Sequence, residues 1–144
     1  MPSRPQKIRF QVSRPTLAGR EKEYVLDALN SGWISGAGEY LDRFEKCVSD
    51  FLGLDGGVAV ASGTAALHLA LLALGVRPGM EVVMPAFTYV ACPNAVGYCG
   101  AKSVFADCDP STWNVTCLTV EACLNERVAG VLLAHLFGDR KSVV

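Results

Sequence analysis

The chain has 144 residues, which is the size of one domain with a stable apolar core. Its net charge of −1, from 13 basic and 14 acidic residues spread along the sequence, argues against partners such as nucleic acid or an anionic membrane. The apolar runs are too short to cross a bilayer and no secretory signal is visible, so we expect a cytoplasmic protein. Six cysteines without a Cys-x-x-Cys pair, beside only two histidines, predict reduced thiols and no metal site.

The first part of the chain is predicted to form two helices joined by a glycine-rich loop. Apolar residues recur at helical spacing over 21–29 and over 39–52, and Gly53 is expected to end the second helix. The loop over 30–38 holds three glycines and Trp33. It is either a connector whose tryptophan packs into the core or a loop that borders a ligand.

From residue 58 onward, predicted strands and helices alternate. The strands are expected at 58–61, 81–84, 102–106 and 128–134, and the helices at 63–74, 88–99 and 119–126. This alternation predicts an α/β fold with a mainly parallel sheet and helices on both faces. In such sheets, ligands bind outside the carboxyl ends of the strands.

Ser62, Gly63 and Thr64 follow the first predicted strand and begin a strongly apolar helix. The unpaired N–H groups of a helix start favour an anion, and a glycine lets that anion approach the backbone. The three residues therefore form either a seat for one phosphate group or an ordinary helix cap without a ligand. The absence of a Gly-x-Gly-x-x-Gly or Gly-Lys-Ser/Thr pattern favours a single phosphate over a diphosphate.

A second junction of strand and helix carries Phe87, Thr88 and Tyr89. An aromatic ring at the end of a strand either packs in the core or stacks on a flat ligand. Together with a phosphate seat, a stacking ring would suit pyridoxal 5'-phosphate.

Other polar candidates are expected to be structural. His68 lies inside an apolar helix, and His135 follows a core strand, where it packs or faces a site. The acidic residues Asp107, Asp109 and Glu121 are interpreted as an ordinary polar turn in preference to a metal site.

Several short sequence motifs occur in a fixed order, and together they resemble those of a known protein family. They are Ser31-Gly-Trp-Ile-Ser35, Ala61-Ser-Gly-Thr64, Pro85-Ala-Phe-Thr-Tyr89, Asp109-Pro-Ser-Thr-Trp-Asn114 and His135-Leu-Phe-Gly138. Over roughly residues 7–138 the chain resembles the DegT-type sugar aminotransferases, which use pyridoxal 5'-phosphate on the fold-type I scaffold. It is most similar to members that move an amino group from glutamate to C4 of a nucleotide-linked 4-keto-6-deoxyhexose, in polysaccharide and O-antigen biosynthesis.

The resemblance implies roles for six residues. Ser62, Gly63 and Thr64 would bind the phosphate of pyridoxal 5'-phosphate, and Tyr89 would stack on its pyridine ring. Trp33 and Ser35 would border the site for the nucleotide-linked keto-sugar. The family's sites are completed by a second subunit, which implies a homodimer.

The resemblance also implies that the chain is the N-terminal part of a fold-type I large domain. Residues 1–38 would be an arm, a helix and the substrate loop, and residues 39–144 the start of the sheet domain. The family's cofactor lysine lies beyond His-Leu-Phe-Gly, and none of the five lysines here has its context. We therefore expect no catalytic residue in this chain and an inactive fragment. The alternatives are a dehydratase of the same family, with histidine in place of the lysine, and a truncated product without catalysis.

Overall fold

The computed structural model describes residues 15–135, and the chain packs as two units that divide between Val58 and Ala59. The first unit contains the helices α1 (Glu21–Ser31) and α2 (Glu39–Leu52). The second contains α3 (Gly63–Ala73), β1 (Glu81–Pro85), α4 (Ala91–Tyr98), β2 (Lys102–Ala106), α5 (Cys117–Glu121) and β3 (Val128–Val131). No helix in this part of the chain has both the length and the apolar character needed to span a bilayer.

In the first unit, α1 and α2 meet through an aromatic contact. The rings of Tyr24 and Tyr40 lie with their centroids 5.5 Å apart, and the guanidinium of Arg43 lies over both rings. The Tyr40 hydroxyl donates a hydrogen bond to Oδ2 of Asp27 at 2.7 Å. These contacts join the two helices across the loop that separates them.

In the second unit, the three strands form one parallel sheet in the order β2-β1-β3. All five residues of β1 are buried, because strands flank both of its edges and helices cover both of its faces. Val82 and Met84 pack against α3 and α4, and Val83 packs on the other face with Val120 of α5. The predicted α/β architecture, a parallel sheet with helices on both faces, is confirmed.

The strand predicted over 58–61 is wrong. These residues precede α3 without pairing to any strand, and Val58 is 73% exposed. A strand exists only where its backbone groups find a partner. The described sheet ends at β2 and β3, and residues 58–61 do not pair with the outer edge of either strand.

Two further differences concern helices. The helix predicted over 119–126 is the shorter α5, which begins earlier because Thr116 caps it by accepting from the N–H of Thr119. The apolar face predicted for α2 is largely exposed, with Phe51 88% exposed and Ser49 as the single buried residue of that helix. A unit of two helices has too little apolar area to bury such a face.

Candidate functional site

Helix α3 begins at a turn whose residues are exposed to solvent. Ser62 is extended, its hydroxyl accepts a hydrogen bond from the N–H of Ala65 at 3.2 Å, and its carbonyl accepts from the N–H of Ala66. Gly63 and Thr64 are the first two residues of the helix, where backbone N–H groups lack an acceptor within the helix. Ser62 therefore acts as the predicted cap, and the N–H groups beside it remain suited to an external anion.

The turn also has room for a ligand. Ser62 and Gly63 are exposed, and a Cβ atom added at Gly63 would meet no atom within 4 Å. Because the Ser62 hydroxyl accepts in the cap, its own proton is left to donate, and Thr64 adds a second hydroxyl. The residues present thus fit one phosphate group at the positive end of an eleven-residue helix.

Tyr89 lies in the junction between β1 and α4, at the carboxyl end of the sheet. Its ring is 76% exposed, and its carbonyl accepts from the N–H of Cys92 at 3.0 Å. The neighbouring Thr88 hydroxyl donates to Sγ of Cys92 at 3.3 Å, which fixes the junction to the start of α4. The alternative of a core residue is therefore wrong for Tyr89, whose ring is free to face a flat ligand.

Phe87 is less exposed than Tyr89 and contacts Trp113, which the sequence reasoning assigned no role. The two ring centroids lie 5.5 Å apart. Trp113 has a φ of 60°, so it occupies the left-handed region that a bulky residue rarely adopts. Its N–H donates to the carbonyl of Asp109 at 2.7 Å, which closes the turn around it.

The turn expected around Asp109 is confirmed, whereas Glu121, which the sequence analysis grouped with it, is the last residue of α5. Oδ1 of Asp109 accepts from the N–H groups of Ser111 and Thr112 and from the Ser111 hydroxyl. These hydrogen bonds lower the pKa of the Asp109 carboxyl below its ordinary value. No group of three or more His, Cys, Asp or Glu side chains within residues 15–135 could hold a metal ion.

The histidines take different positions. His68 is partly buried and packs edge-on against Tyr98, with the centroids 5.5 Å apart, which is the structural role expected of it. His135 is exposed at the end of the described chain. Leu136, Phe137 and Gly138 of the same block lie outside the described residues, as do Lys7 and Lys141.

Trp33 and Ser35 line a pocket within the first unit, here named the loop pocket. It has a volume of about 120 Å³, and its lining includes Asp27 from α1, Trp33, Ser35 and Gly38 from the loop, and Tyr40 from α2. The Trp33 side chain is 64% exposed, so the alternative of a core plug is wrong. Gly38 has a φ of +139° and stands against Trp33, where an added Cβ would lie 3.4 Å from Cβ of that tryptophan.

The structure thus groups the predicted residues by unit. Ser62, Gly63, Thr64 and Tyr89 all belong to the second unit, at the starts of two helices, α3 and α4, that pack together. Trp33 and Ser35 belong to the first unit. The sequence reasoning missed Asp27 and assigned Tyr40 to an apolar helix face. The spacing of Asp27 and Tyr40 in the sequence does not indicate their contact, because the two residues lie on either side of the whole loop.

Several known proteins are similar to this chain. Residues 15–143 match the model of the DegT/DnrJ/EryC1/StrS aminotransferase family. The chain belongs to this family. A GDP-perosamine synthase from Caulobacter vibrioides is 42% identical over 91% of the chain and 35% of that protein. The family is one of pyridoxal-phosphate-dependent aminotransferases, as the resemblance implied.

Solved structures show the same fold. The aminotransferase TlmJ from Streptoalloteichus hindustanus has a TM-score of 0.77 at 37% identity, over 88% of this chain and 35% of that one. NtdA from Bacillus subtilis, with bound cofactor PMP, has a TM-score of 0.77 at 33% identity, over 83% of this chain and 27% of that one. The chain therefore spans about a third of the length of the relatives it matches.

Proposed function

We propose that this chain is part of a pyridoxal-phosphate-dependent aminotransferase that acts on a nucleotide-linked sugar. The amino group would pass from an amino acid, glutamate, to C4 of a 4-keto-6-deoxyhexose carried on a nucleotide. Family membership and the 42% identity to a GDP-perosamine synthase support this reaction class. The observation that carries the proposal is the turn at the start of α3, where Ser62, Thr64 and the first N–H groups of the helix lie beside the open space at Gly63.

In this proposal, Ser62, Gly63 and Thr64 hold the cofactor phosphate. The Thr64 and Ser62 hydroxyls donate to phosphate oxygens, and the backbone N–H groups at the helix start add charge-assisted hydrogen bonds. Tyr89 presents its exposed ring to the flat pyridine ring. When bound, pyridoxal 5'-phosphate would supply the carrier through which the donor's amino group is exchanged for the keto oxygen of the sugar, leaving the donor as its 2-oxo acid.

We further infer that the lysine that would hold the cofactor covalently is not among the five lysines of this chain. Lys46 forms an ion pair with Asp50 on α2. Lys102 begins β2 and forms an ion pair with Glu81, at the end of the sheet opposite to Tyr89. Lys22 lies exposed on α1, and neither Lys7 nor Lys141 falls within the described residues. The chain alone is therefore proposed to be inactive.

The remaining parts of the proposal concern the setting of the enzyme. We propose that residues 1–38 supply an arm, a helix and the substrate loop, that residues 39–144 begin the sheet domain, and that a second subunit completes the site as a homodimer. All six cysteines carry free thiols, which supports a reducing, cytoplasmic location. A role in polysaccharide biosynthesis, such as O-antigen synthesis, is part of the same proposal.

Equilibrium dialysis of the chain against pyridoxal 5'-phosphate tests the phosphate seat. We expect tighter binding of pyridoxal 5'-phosphate than of pyridoxal, which lacks the phosphate. Thr64→Val removes one hydroxyl and should weaken binding about tenfold, because a hydrogen bond to a charged group is lost. Thr16→Val, an exposed threonine in the first unit, is the matched control and should leave binding unchanged. Equal binding of pyridoxal and its phosphate would contradict the assignment.

Borohydride reduction followed by peptide mapping tests the lysine inference. A chain mixed with pyridoxal 5'-phosphate should show no adduct concentrated on one lysine. A single lysine that is stoichiometrically modified at low cofactor concentration would show that the chain carries its own anchoring amine, and the inference would be wrong.

A further inference from the structure

Two connecting segments leave the carboxyl end of the sheet side by side. Pro85 ends β1 and is paired with Ala106, which ends β2, and the N–H of Ala86 donates to the carbonyl of Ala106 at 2.8 Å. The segment between β1 and α4 carries Phe87, the segment between β2 and α5 carries Trp113, and the two rings are in contact. Because ligands of parallel sheets bind outside the carboxyl ends of the strands, this contact lies where it can influence a binding site.

The turn after β2 holds Trp113 in an unfavourable backbone conformation. Its φ of 60° belongs to the left-handed region, which a bulky side chain rarely adopts. The N–H of Trp113 donates to the carbonyl of Asp109 at 2.7 Å, and the N–H of Asp109 donates to the carbonyl of Asn114 at 2.9 Å. These hydrogen bonds close the turn on both sides of Trp113, so the surrounding structure imposes the conformation on this residue.

The Trp113 side chain gains little burial in that position. It is 61% exposed, although a tryptophan can bury more surface than most other residues. Glycine would adopt the same φ without strain, and asparagine would adopt it with less strain. Backbone strain of this kind persists mainly at functional positions. The use of the indole ring is therefore to be found in the Phe87 ring that it contacts.

The segment between β1 and α4 is fixed at both of its ends, and Phe87 lies between them. At one end, the N–H of Ala86 is bonded to β2, and at the other, the carbonyl of Tyr89 accepts from the N–H of Cys92 at 3.0 Å. The ring of Phe87 is only half-buried, and it packs against Trp113 with the ring centroids 5.5 Å apart and the planes inclined by 58°. This contact restrains the segment two residues before the exposed Tyr89 ring.

From these observations we propose that Trp113 is a positioning residue, which holds Phe87 and thereby presents the Tyr89 ring to a flat cofactor ring. The identity of the cofactor rests on the proposed function, whereas the restraint of the segment rests on the contact between Trp113 and Phe87. A side chain that is ordered before binding loses less conformational freedom when the ligand arrives. Loss of the restraint should therefore weaken cofactor binding about fivefold.

Equilibrium dialysis with two substitutions of Trp113 tests the proposal. Trp113→Asn removes the ring and tolerates the positive φ, whereas Trp113→Phe keeps an aromatic ring against Phe87 and is the matched control. We expect Trp113→Asn to bind pyridoxal 5'-phosphate about fivefold more weakly, and Trp113→Phe to keep an affinity close to that of the original chain. Equal affinities of the two variants would overturn the proposal.

Inorganic phosphate distinguishes positioning from a general loosening of the second unit. Its binding, followed by phosphorus NMR, should be the same in Trp113→Asn, in Trp113→Phe and in the original chain, because the turn at Ser62–Thr64 is unchanged. A loss of phosphate affinity in Trp113→Asn as large as its loss of cofactor affinity would overturn the proposal, since the substitution would then act on the whole unit.

A double-mutant cycle tests whether Trp113 acts through Phe87. Substitutions of two residues that act as one unit are not additive. We therefore expect Trp113→Asn to cause no further loss of cofactor affinity in a Phe87→Leu chain, with far-UV circular dichroism as the check that each variant is folded. Additive losses would overturn the proposal, because Trp113 would then act by a route that does not include Phe87.

Backbone NMR relaxation of the chain without cofactor separates this proposal from the proposed function. The order parameters at Phe87 and Thr88 should fall in Trp113→Asn and not in Trp113→Phe. Unchanged values would overturn the positioning role even in a chain that binds the cofactor. Lowered values in a chain that binds no pyridoxal 5'-phosphate would support the restraint by Trp113 and contradict the proposed function.

Discussion

The two ends of the parallel sheet differ in the side chains they carry and in how those side chains are paired. At the amino end, the buried Glu81 carboxylate accepts from Asn125 at 2.9 Å and pairs with Arg127 at 3.0 Å and Lys102 at 3.4 Å. At the carboxyl end, Phe87, Tyr89 and Trp113 are exposed, and Trp113 has an unfavourable backbone conformation. One end satisfies its polar groups within the chain, and the other presents aromatic rings to solvent.

This difference indicates where stability and binding are located. A charge buried with three partners stabilises the fold only while all of them are in place. Exposed aromatic rings and a strained residue add little stability, and strain of this kind persists mainly at functional positions. The following predictions test whether the amino end is sensitive in stability while the carboxyl end is not.

Glu81→Gln should give the largest loss of stability. It removes the charge that pairs with Lys102 and Arg127 while keeping an acceptor for Asn125. We expect the midpoint of thermal unfolding to fall by about 15 °C or more. The measurement uses the Trp33→Phe chain, in which Trp113 reports on the second unit. Glu126→Gln, which removes an exposed carboxylate of the same unit, is the control and should shift the midpoint much less. Similar shifts for both variants would remove the contrast between the ends.

Gly100→Ala should be the next most damaging change at the amino end. Gly100 precedes β2 with a φ of +69°, and an added Cβ would lie 2.8 Å from Cγ of Pro78. The positive φ costs about 1–2 kcal/mol for alanine, and the clash adds to that cost. Gly75→Ala is the matched control, since Gly75 has a φ of +81° with no atom within 4 Å of the added Cβ. Denaturant unfolding should show a larger loss in the free energy of unfolding for Gly100→Ala than for Gly75→Ala. Equal losses would show that the Pro78 ring moves to accommodate the methyl group.

The pH dependence of stability should trace to Glu81. Its hydrogen bond from Asn125, together with the charges of Arg127 and Lys102, holds the pKa of this carboxyl below the ordinary 4.5. The unfolded chain then binds the proton more readily than the folded chain. The contribution is present above the unfolded pKa and is lost as the pH falls through the folded pKa. The difference in midpoint between the original chain and Glu81→Gln should therefore shrink below pH 4.5, and a constant difference would contradict this origin.

Much of this contrast could be predicted from the sequence, but not all of it. The strands β1 and β2 follow from short apolar runs bounded by turns, and Gly53 ends α2 in the left-handed conformation expected of it. The residues at 58–61 have the same apolar pattern as a strand, yet whether they pair depends on a neighbour that composition does not reveal. The contact between Tyr40 and Asp27 likewise depends on how the loop folds back, so the place of these two residues in the loop pocket could not be predicted.

At the carboxyl end, Trp113→Gly should have the smallest effect on stability. Glycine adopts a φ near 60° without strain, which recovers about 1–2 kcal/mol. The lost contact with the Phe87 ring costs a similar amount. Denaturant unfolding followed by circular dichroism should show a change within about 1 kcal/mol. A large loss would mean that the exposed aromatic pair stabilises the fold and would contradict the proposed division between the ends.

Amide hydrogen exchange with and without pyridoxal 5'-phosphate tests the central claim most directly, because it reports on both ends of the sheet in one experiment. The account predicts that the cofactor slows exchange at the first turn of α3, around Gly63 and Thr64, and near Tyr89. Exchange at the amino end, around Glu81 and Lys102, should be unchanged. Protection confined to the amino end, or unchanged exchange at Gly63 and Thr64 under saturating cofactor, would contradict the claim that this turn holds the phosphate.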